Sequence, residues 1–468
     1  MDPRAFRVAE AFVREHLRRA RYAPEFMEWT QGRTFRNPDT GNEVLFVSLP
    51  DPEQAKIYRQ WAAHRIGPPD EERARTRSPE EVDRRNAEIG LDGEVVESEI
   101  LSPGGEPGAY NQSEIVKLRH GGEEQVFIRK PAEGEEKNIR VGIPAGAYHA
   151  REAGTYGLDR LVGGRPIVPV TVTRGNDDGS YQVWVQGARP MYDDALDDLV
   201  GKVKPEELHR SPDFHRLNAL DLVMGHEDRH AGNLLYWFEG DEETPENLRF
   251  VAIDNGLTAA VPSETASHRV YFHPFKWMWI DDETKTDKER QEAADDAMRR
   301  GNRAVADSLS RIGPELHEQL KQVDLADAAK TLTSSGVAEE GAIRALLVRL
   351  AAVQENPRIF EDFLERSGGD LEKAWQEFQH ASGQRDDLLR RAGAMTRRKE
   401  IDEAVEAARP EGGWTEPQGI ENMFRDLEKE LDGFDSWGIF EVEGAEAETR
   451  RGSTETFTTI WWLTRPGR

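Results

Sequence analysis

Apolar residues recur at helical spacing near the start of the chain, at Phe6, Val8, Ala9, Phe12, Val13 and Leu17, and predict an amphipathic helix from Phe6 to Leu17. The turn-prone NPDTGN (37–42) and the apolar run EVLFVSL (43–49) predict a short strand or hairpin between Thr30 and Pro50, and residues 51–64 return to helical periodicity. Residues 1–66 thus read as a small α+β accessory unit. Large apolar residues thin out from Gly67 to Asp92, where Pro68, Pro69 and DEERARTRSPEEVDRRN give the composition of a solvated connector. Residues 67–95 are therefore assigned to a charged linker.

From about Val95 the apolar pattern shifts to short β-type runs. EVVESEIL (94–101), SEIVKL (113–118) and EQVFIRK (124–130), separated by GGEPG (104–108) and HGGEE (120–124), predict an antiparallel meander. AGAYHAREAGTYGLDRLVG (145–163), with Pro144 near its start, predicts a helix, and IVPVTVTR (167–174) and SYQVWVQ (180–186) predict two more strands. A helical stretch from Pro212 to Gly225 follows, then a strand in LRFVAID that ends at Asp254. Beyond about Glu283 nearly everything reads as helix, including the apolar ALLVRLAAV (345–353), while TETFTTIWWLT near the C-terminal end regains strand character. No internal repeat at a fixed period is present.

Composition narrows the partners. Across 468 residues, 89 acidic against 62 basic side chains give a formal charge of -27, which repels other polyanions and makes nucleic acid and anionic bilayers poor default partners. Cysteine is absent, which excludes disulfides, thiolate zinc sites and a cysteine nucleophile. The N-terminal segment lacks the roughly 7 to 15 residue apolar core of a secretory signal. No uncharged apolar run approaches the roughly 20 residues that span a bilayer. These features predict a cytoplasmic protein without stable membrane association.

The chemistry is concentrated in GHEDRHAGNLLY (Gly225 to Tyr236) and FVAIDNG (Phe250 to Gly256). Phosphoryl transfer needs a carboxylate that orients the attacking hydroxyl and oxygen ligands that hold a metal on the phosphates. Asp228 fits the first role. Asn233, five positions further on one loop, and Asp254, at the end of a strand, fit the second. Such a set suits Mg2+ or Mn2+, hard ions that prefer oxygen. His226 and His230 have the spacing of a helical zinc pair but lack the HExxH arrangement, so His230 is expected to be a buried, hydrogen-bonded residue that shapes the loop. Arg229, inside the motif, joins the catalytic set.

A kinase also needs a strand lysine that contacts ATP phosphates and pairs with a helix glutamate. Lys130, ending VFIRK, and Glu152 in HAREAGTYGLDRL stand in that order upstream of the loop. Each alone reads as an ordinary exposed charge; together they favour function. Gly104, Gly105 and Gly108 lie between the first two β-type runs, where backbone N–H groups can approach phosphate, although a plain hairpin would also carry glycine. The stretch from Val185 to Ala188 is the candidate hinge for adenine, with Gln186 and Ala188 as base contacts.

DRHAGN with IDNG resembles the atypical kinases of the phosphatidylinositol 3/4-kinase and actin-fragmin kinase type, and is more distantly similar to Golgi casein kinases and HipA-like kinases. The likeness covers residues 96–356 and is sharpest over about thirty positions. It implies an α+β, bilobal protein-kinase-like fold, with an antiparallel β N-lobe carrying one helix and a mostly helical C-lobe. Residues 357–468 are then a mostly helical C-terminal extension. The implied activity is ATP- and Mg-dependent transfer to a hydroxyl of a protein or peptide. Lipid and small-molecule kinases, a degenerate kinase-fold scaffold and an AMP-transferring enzyme are the alternatives. The chain departs from the lipid-kinase pattern at Glu227, where glycine usually precedes the aspartate. The segment from Asn255 to about Ile280, with His268, Arg269, His273 and Lys276, is either a receiver of acidic substrate or packed support.

Overall fold

The computed structural model describes residues 24–37, 42–49, 54, 57, 58, 61, 79–102, 111–135, 142–144, 146–174, 177–185, 187–191, 199, 201–240, 242–262, 303–310 and 312–415. The expected helix at Phe6–Leu17 and the strand character near the C-terminal end lie outside them, as does most of the segment following Asn255. Among the described residues no helix is long and apolar enough to cross a membrane.

The first described unit is small and aromatic. Helix α1 (Pro24–Thr30) precedes strands β1 (Thr34–Arg36) and β2 (Glu43–Leu45), which pair antiparallel with Thr34 opposite Leu45. Too few residues are present for a large aliphatic core, so ring packing supplies the burial. The Phe26 ring lies 4.9 Å from both Phe46 and Tyr58 and 5.2 Å from Trp61.

The expected connector is corrected over its second half. Residues Pro79–Asp92 form helix α2, with Glu80 and Glu81 in its first turn, where they favour the helix dipole. Arg84 and Arg85 both pair with Glu88 along the helix. Composition misleads here because the helix buries one narrow stripe, led by Ile89, and leaves its charges in water.

Strands β3 (Glu94–Ser102), β4 (Ser113–His120), β5 (Glu123–Pro131), β6 (Thr171–Arg174) and β7 (Asp177–Val183) form an antiparallel sheet of order β3-β4-β5-β7-β6. Strand alternation separates two faces. Val116, Leu118, Phe127, Val172 and Tyr181 pack with Ile89 of α2 on one. Ile115 opposite Ile128, and Lys117 opposite Val126, lie on the other, and Lys130 follows Ile128 on that same face. Helix α3 (Tyr148–Val162) joins β5 to β6; the Glu135 carboxylate accepts the backbone N–H groups of Tyr148 at 2.9 Å and His149 at 2.7 Å and so satisfies two of its unpaired donors.

Beyond the sheet come helix α4 (Pro212–Met224) and a three-stranded antiparallel sheet of β8 (Arg189–Pro190), β9 (Leu234–Phe238) and β10 (Leu248–Ala252), ordered β10-β9-β8. Helices α5 (Pro314–Lys321), α6 (Leu325–Ser335) and α7 (Glu340–Glu355) follow. Then come α8 (Ile359–Arg366), α9 (Leu371–Gly383), α10 (Arg385–Ala392) and α11 (Arg398–Ala407). Their core continues past residue 356. Phe360, Trp375, Phe378, Leu389 and Ile401 are buried in the same cluster as Leu346 and Leu350 of α7, so the expected boundary at 356 does not coincide with a break in packing. Helix α3 lies closely on α6, and a Cβ added at Gly157 would meet Thr331 Cγ2 at 2.3 Å.

Candidate active site

The site begins at the end of α4. The Ser211 hydroxyl caps that helix by accepting from Phe214 N, and the helix stops at Gly225, whose φ of 66° is the left-handed conformation that glycine adopts without strain. Its last carbonyls are taken by a residue from α7: Arg349 donates to Val223 O at 2.8 Å and to Met224 O at 3.2 Å. Burial pushes Arg349 down to about 9 against the opposing pull of Glu227, so the guanidinium is still charged at neutral pH. Glu227 itself is buried at 5 % exposure rather than directed to solvent.

Residues 226–233 then fold back on themselves. Asp228 N donates to His226 Nδ1 at 3.0 Å, and Asn233 Nδ2 donates to Asp228 O at 2.8 Å, which closes the loop around the candidate base. His230 Nδ1 accepts from Gly232 N at 3.0 Å, as a loop-shaping residue would, but its side chain is 28 % exposed and Nε2 stands 3.7 Å from Asp228 Oδ2. It is therefore a half-open neighbour of Asp228 and not the buried residue expected. After β9 and β10, Ile253 N donates to Asn233 O at 3.0 Å, so Asp254 emerges beside Asn233.

Arg229 locks these pieces together from behind. A guanidinium carries five N–H donors, and all of them are used. Nε and Nη2 each reach the Asp221 carboxylate at 3.0 Å, Nη1 reaches Asn233 O at 3.0 Å and Ile253 O at 2.9 Å, and Nη2 also reaches Asn255 Oδ1 at 2.6 Å. At 1 % exposure Arg229 joins α4, the 226–233 loop and the segment after β10, so its geometry is that of a positioning residue. Burial raises the pKa of Asp221, and the Arg229 charge opposes that rise. Sequence reading missed Asp221; its signal was a lone carboxylate in the otherwise apolar ALDLVM, which helical burial obliges to find a partner.

The opposite wall comes from the five-stranded sheet. Lys130 Nζ donates to Glu152 Oε1 at 2.5 Å and to Asp254 Oδ1 at 2.7 Å, uniting β5, α3 and the end of β10. Burial acts to lower the lysine pKa, but Asp254 and Glu152 outweigh it and hold the ammonium firmly protonated. Burial raises the pKa of Glu152, opposed by Lys130. Desolvation would raise that of Asp254 too, yet the lysine wins and keeps it below the usual carboxylate range. The Asp254 side chain is 47 % exposed. Its φ of 55° is a left-handed conformation rare outside glycine, a strained backbone of the kind held at functional sites.

The structure thus brings Lys130, Glu152, Asp228, Asn233 and Asp254 to one place. Ala188 sits half-buried between β7 and β8, while Gln186, Gly104, Gly105 and Gly108 lie outside the described residues. For a divalent ion the chain offers the Asp254 carboxylate and the Asn233 amide, hard oxygen donors that leave the remaining positions to phosphate and water, and this set fits Mg2+ or Mn2+.

No family model matches the chain, and the search of curated proteins finds no match. Among solved structures, a similarity is found to the Helicobacter pylori proinflammatory kinase CtkA, at 13 % identity over 68 % of this chain and 96 % of that one. The TM-score is 0.25, too low to carry an argument, so the functional reading rests on the geometry.

Proposed function

We propose that the chain is an ATP- and divalent-metal-dependent phosphotransferase with a two-lobed, kinase-like catalytic domain of the atypical type. The observation that carries the reading is Lys130, an ammonium bracketed by Glu152 and Asp254, with Asn233 and Asp228 beside the second carboxylate. An isolated structural ion pair needs one acid. Here two acids from different segments share one lysine, and the second, Asp254, stands on the open side, where a divalent cation could be held.

In the proposed reaction Lys130 shifts its hydrogen bonds from Asp254 to phosphate oxygens, while Glu152 keeps the ammonium in place. Asp254 and Asn233 would hold the metal, which would supply neutralisation of charge on the phosphates. Asp228 hydrogen-bonds the acceptor hydroxyl and takes its proton as that oxygen attacks the γ-phosphorus. The bond from the γ-phosphorus to the bridging oxygen breaks, leaving ADP and a phosphoester. Arg229 touches no reactant in this scheme; it holds Asp228, Asn233 and Asp254 in register. The acceptor we propose is a hydroxyl of a protein or peptide.

Transfer of label from ATP tests the reading. Label carried at the γ-phosphate should reach protein acceptors in the presence of Mg2+, and Asp228→Asn and Asp254→Ala should reduce it by orders of magnitude. Label arriving only from the α-phosphate would mean AMP transfer. No transfer from either position, to protein, lipid or small-molecule acceptors, would favour a scaffold.

A further inference from the structure

The face of the sheet that carries Lys130 is already covered. Ile115 and Val126 point to that face by register, yet they are 1 % and 2 % exposed. Among the described residues, the side chain packed on them from outside the sheet is Trp61 of the aromatic N-terminal unit, with Leu101, Ile128 and Trp184 completing the cluster. The same unit has a second hold on the sheet, because the Tyr58 hydroxyl donates to Glu99 Oε1 of β3 at 2.8 Å. Tyr58 and Trp61 stack with each other at 5.9 Å and belong to the ring cluster around Phe26, so the unit seats on the sheet with its own core intact.

A nucleotide with its phosphates at Lys130 must lay its base on an apolar part of the same face. Ile128 is two residues before Lys130 and Val126 four residues before, about 13 Å along the strand at ~3.3 Å per residue. That interval carries the apolar cluster on which Trp61 rests. We infer that the N-terminal unit is a built-in competitor for the base subsite: Trp61 occupies apolar surface that the base would use, and the unit must lift for nucleotide to bind fully. The inference rests on the phosphotransferase reading. It adds a regulatory role for residues that otherwise only decorate the sheet, and release of the unit by a partner or by substrate would raise nucleotide affinity.

Calorimetric titration of Mg·ATP into the full-length chain tests this. Trp61→Ala removes the side chain from the face and should tighten binding by fivefold or more. Tyr58→Phe deletes only the hydroxyl that grips Glu99 and should tighten it by roughly two- to tenfold, the range of one net hydrogen bond. Because this variant retains the ring, it keeps the test valid if Trp61→Ala unfolds the small unit. Unchanged or weaker binding in both variants, with Lys130→Ala still unable to bind, would overturn the competitor role and leave the phosphotransferase reading standing. Weaker binding alone would make Trp61 a wall of the base pocket. Absence of Mg·ATP binding in every variant, Trp61→Ala included, would overturn both.

Discussion

Arg229 and Lys130 are each gripped by carboxylate, and the two clusters are built in opposite ways. Arg229 meets a single acid, Asp221, with every remaining donor spent on backbone carbonyls and Asn255, and both side chains are almost wholly buried at 2 % and 1 % exposure. Lys130 meets two acids, and one of them, Asp254, is 47 % exposed. The first cluster is balanced in charge and saturated in hydrogen bonds, so it can only hold structure. The second gives one cation two acids and has an open side, so under the proposed function it is the cluster that a metal and a phosphate would enter. Burial and saturation of donors, more than residue type, set the enclosed cluster apart from the open one.

Mutations in the two clusters should therefore fail in different ways. The largest effect is expected on the open side: Asp228→Asn should lower kcat by about 10²–10⁴ while thermal melting changes little, since the group is half-exposed and its loss removes proton transfer. Paired turnover and melting measurements check this, and a large fall in melting temperature with unchanged kcat would reverse the assignment. Arg229→Lys should show first in stability, with a fall in kcat following from lost register around Asp228, Asn233 and Asp254. A lysine cannot reproduce the fork, so Asp221 is left buried without its bidentate partner, and a loss of about 3–5 kcal/mol in denaturant unfolding is expected.

How much of this was legible beforehand follows from the same contrast. Lys130, Glu152, Asp228, Asn233 and Asp254 stood out because the chemistry dictates both residue type and order, and the strands and helix that carry them have clear periodicity. Asp221 and the α2 helix did not stand out. A buried carboxylate in an apolar helix and a charged helix with one narrow apolar stripe acquire meaning only from what packs against them, which no local pattern encodes. The strand β9 was likewise missed, although LLYWF has the aromatic composition of one; the adjacent motif drew attention to its loop. The cover over Ile115 was invisible because Trp61 lies 54 positions away in the chain.

Smaller effects sharpen the comparison away from the site. At the crossing of α3 and α6, Gly157→Val should cost about 1–3 kcal/mol by overpacking against Thr331, and because α3 carries Glu152 it should also weaken Mg·ATP binding. Stability lost with binding intact would show that the helix contact does not hold the lysine pair. Smallest is Asp402, which accepts from Arg344 and Arg385 in the helical region. Burial would raise its pKa, but the two arginines prevail and lower it. A depressed carboxylate adds stability above its unfolded value and loses it as pH falls through the folded one. The melting difference between the wild type and Asp402→Asn should thus be level above the ordinary carboxylate range and shrink as pH falls through and below it, with a plateau of at most about 1 kcal/mol. A difference that grew on acidification would contradict the sign.

Under the proposed function Asn233 and Asp254 share one metal on a nucleotide held by Lys130. Anomalous diffraction from crystals grown with Mn2+ and a non-hydrolysable ATP analogue tests it most directly. A manganese peak should appear within coordination distance of both side-chain oxygens, with the analogue's phosphates between that peak and the Lys130 ammonium. Manganese bound at any other place, or a nucleotide whose phosphates avoid Lys130, would contradict it.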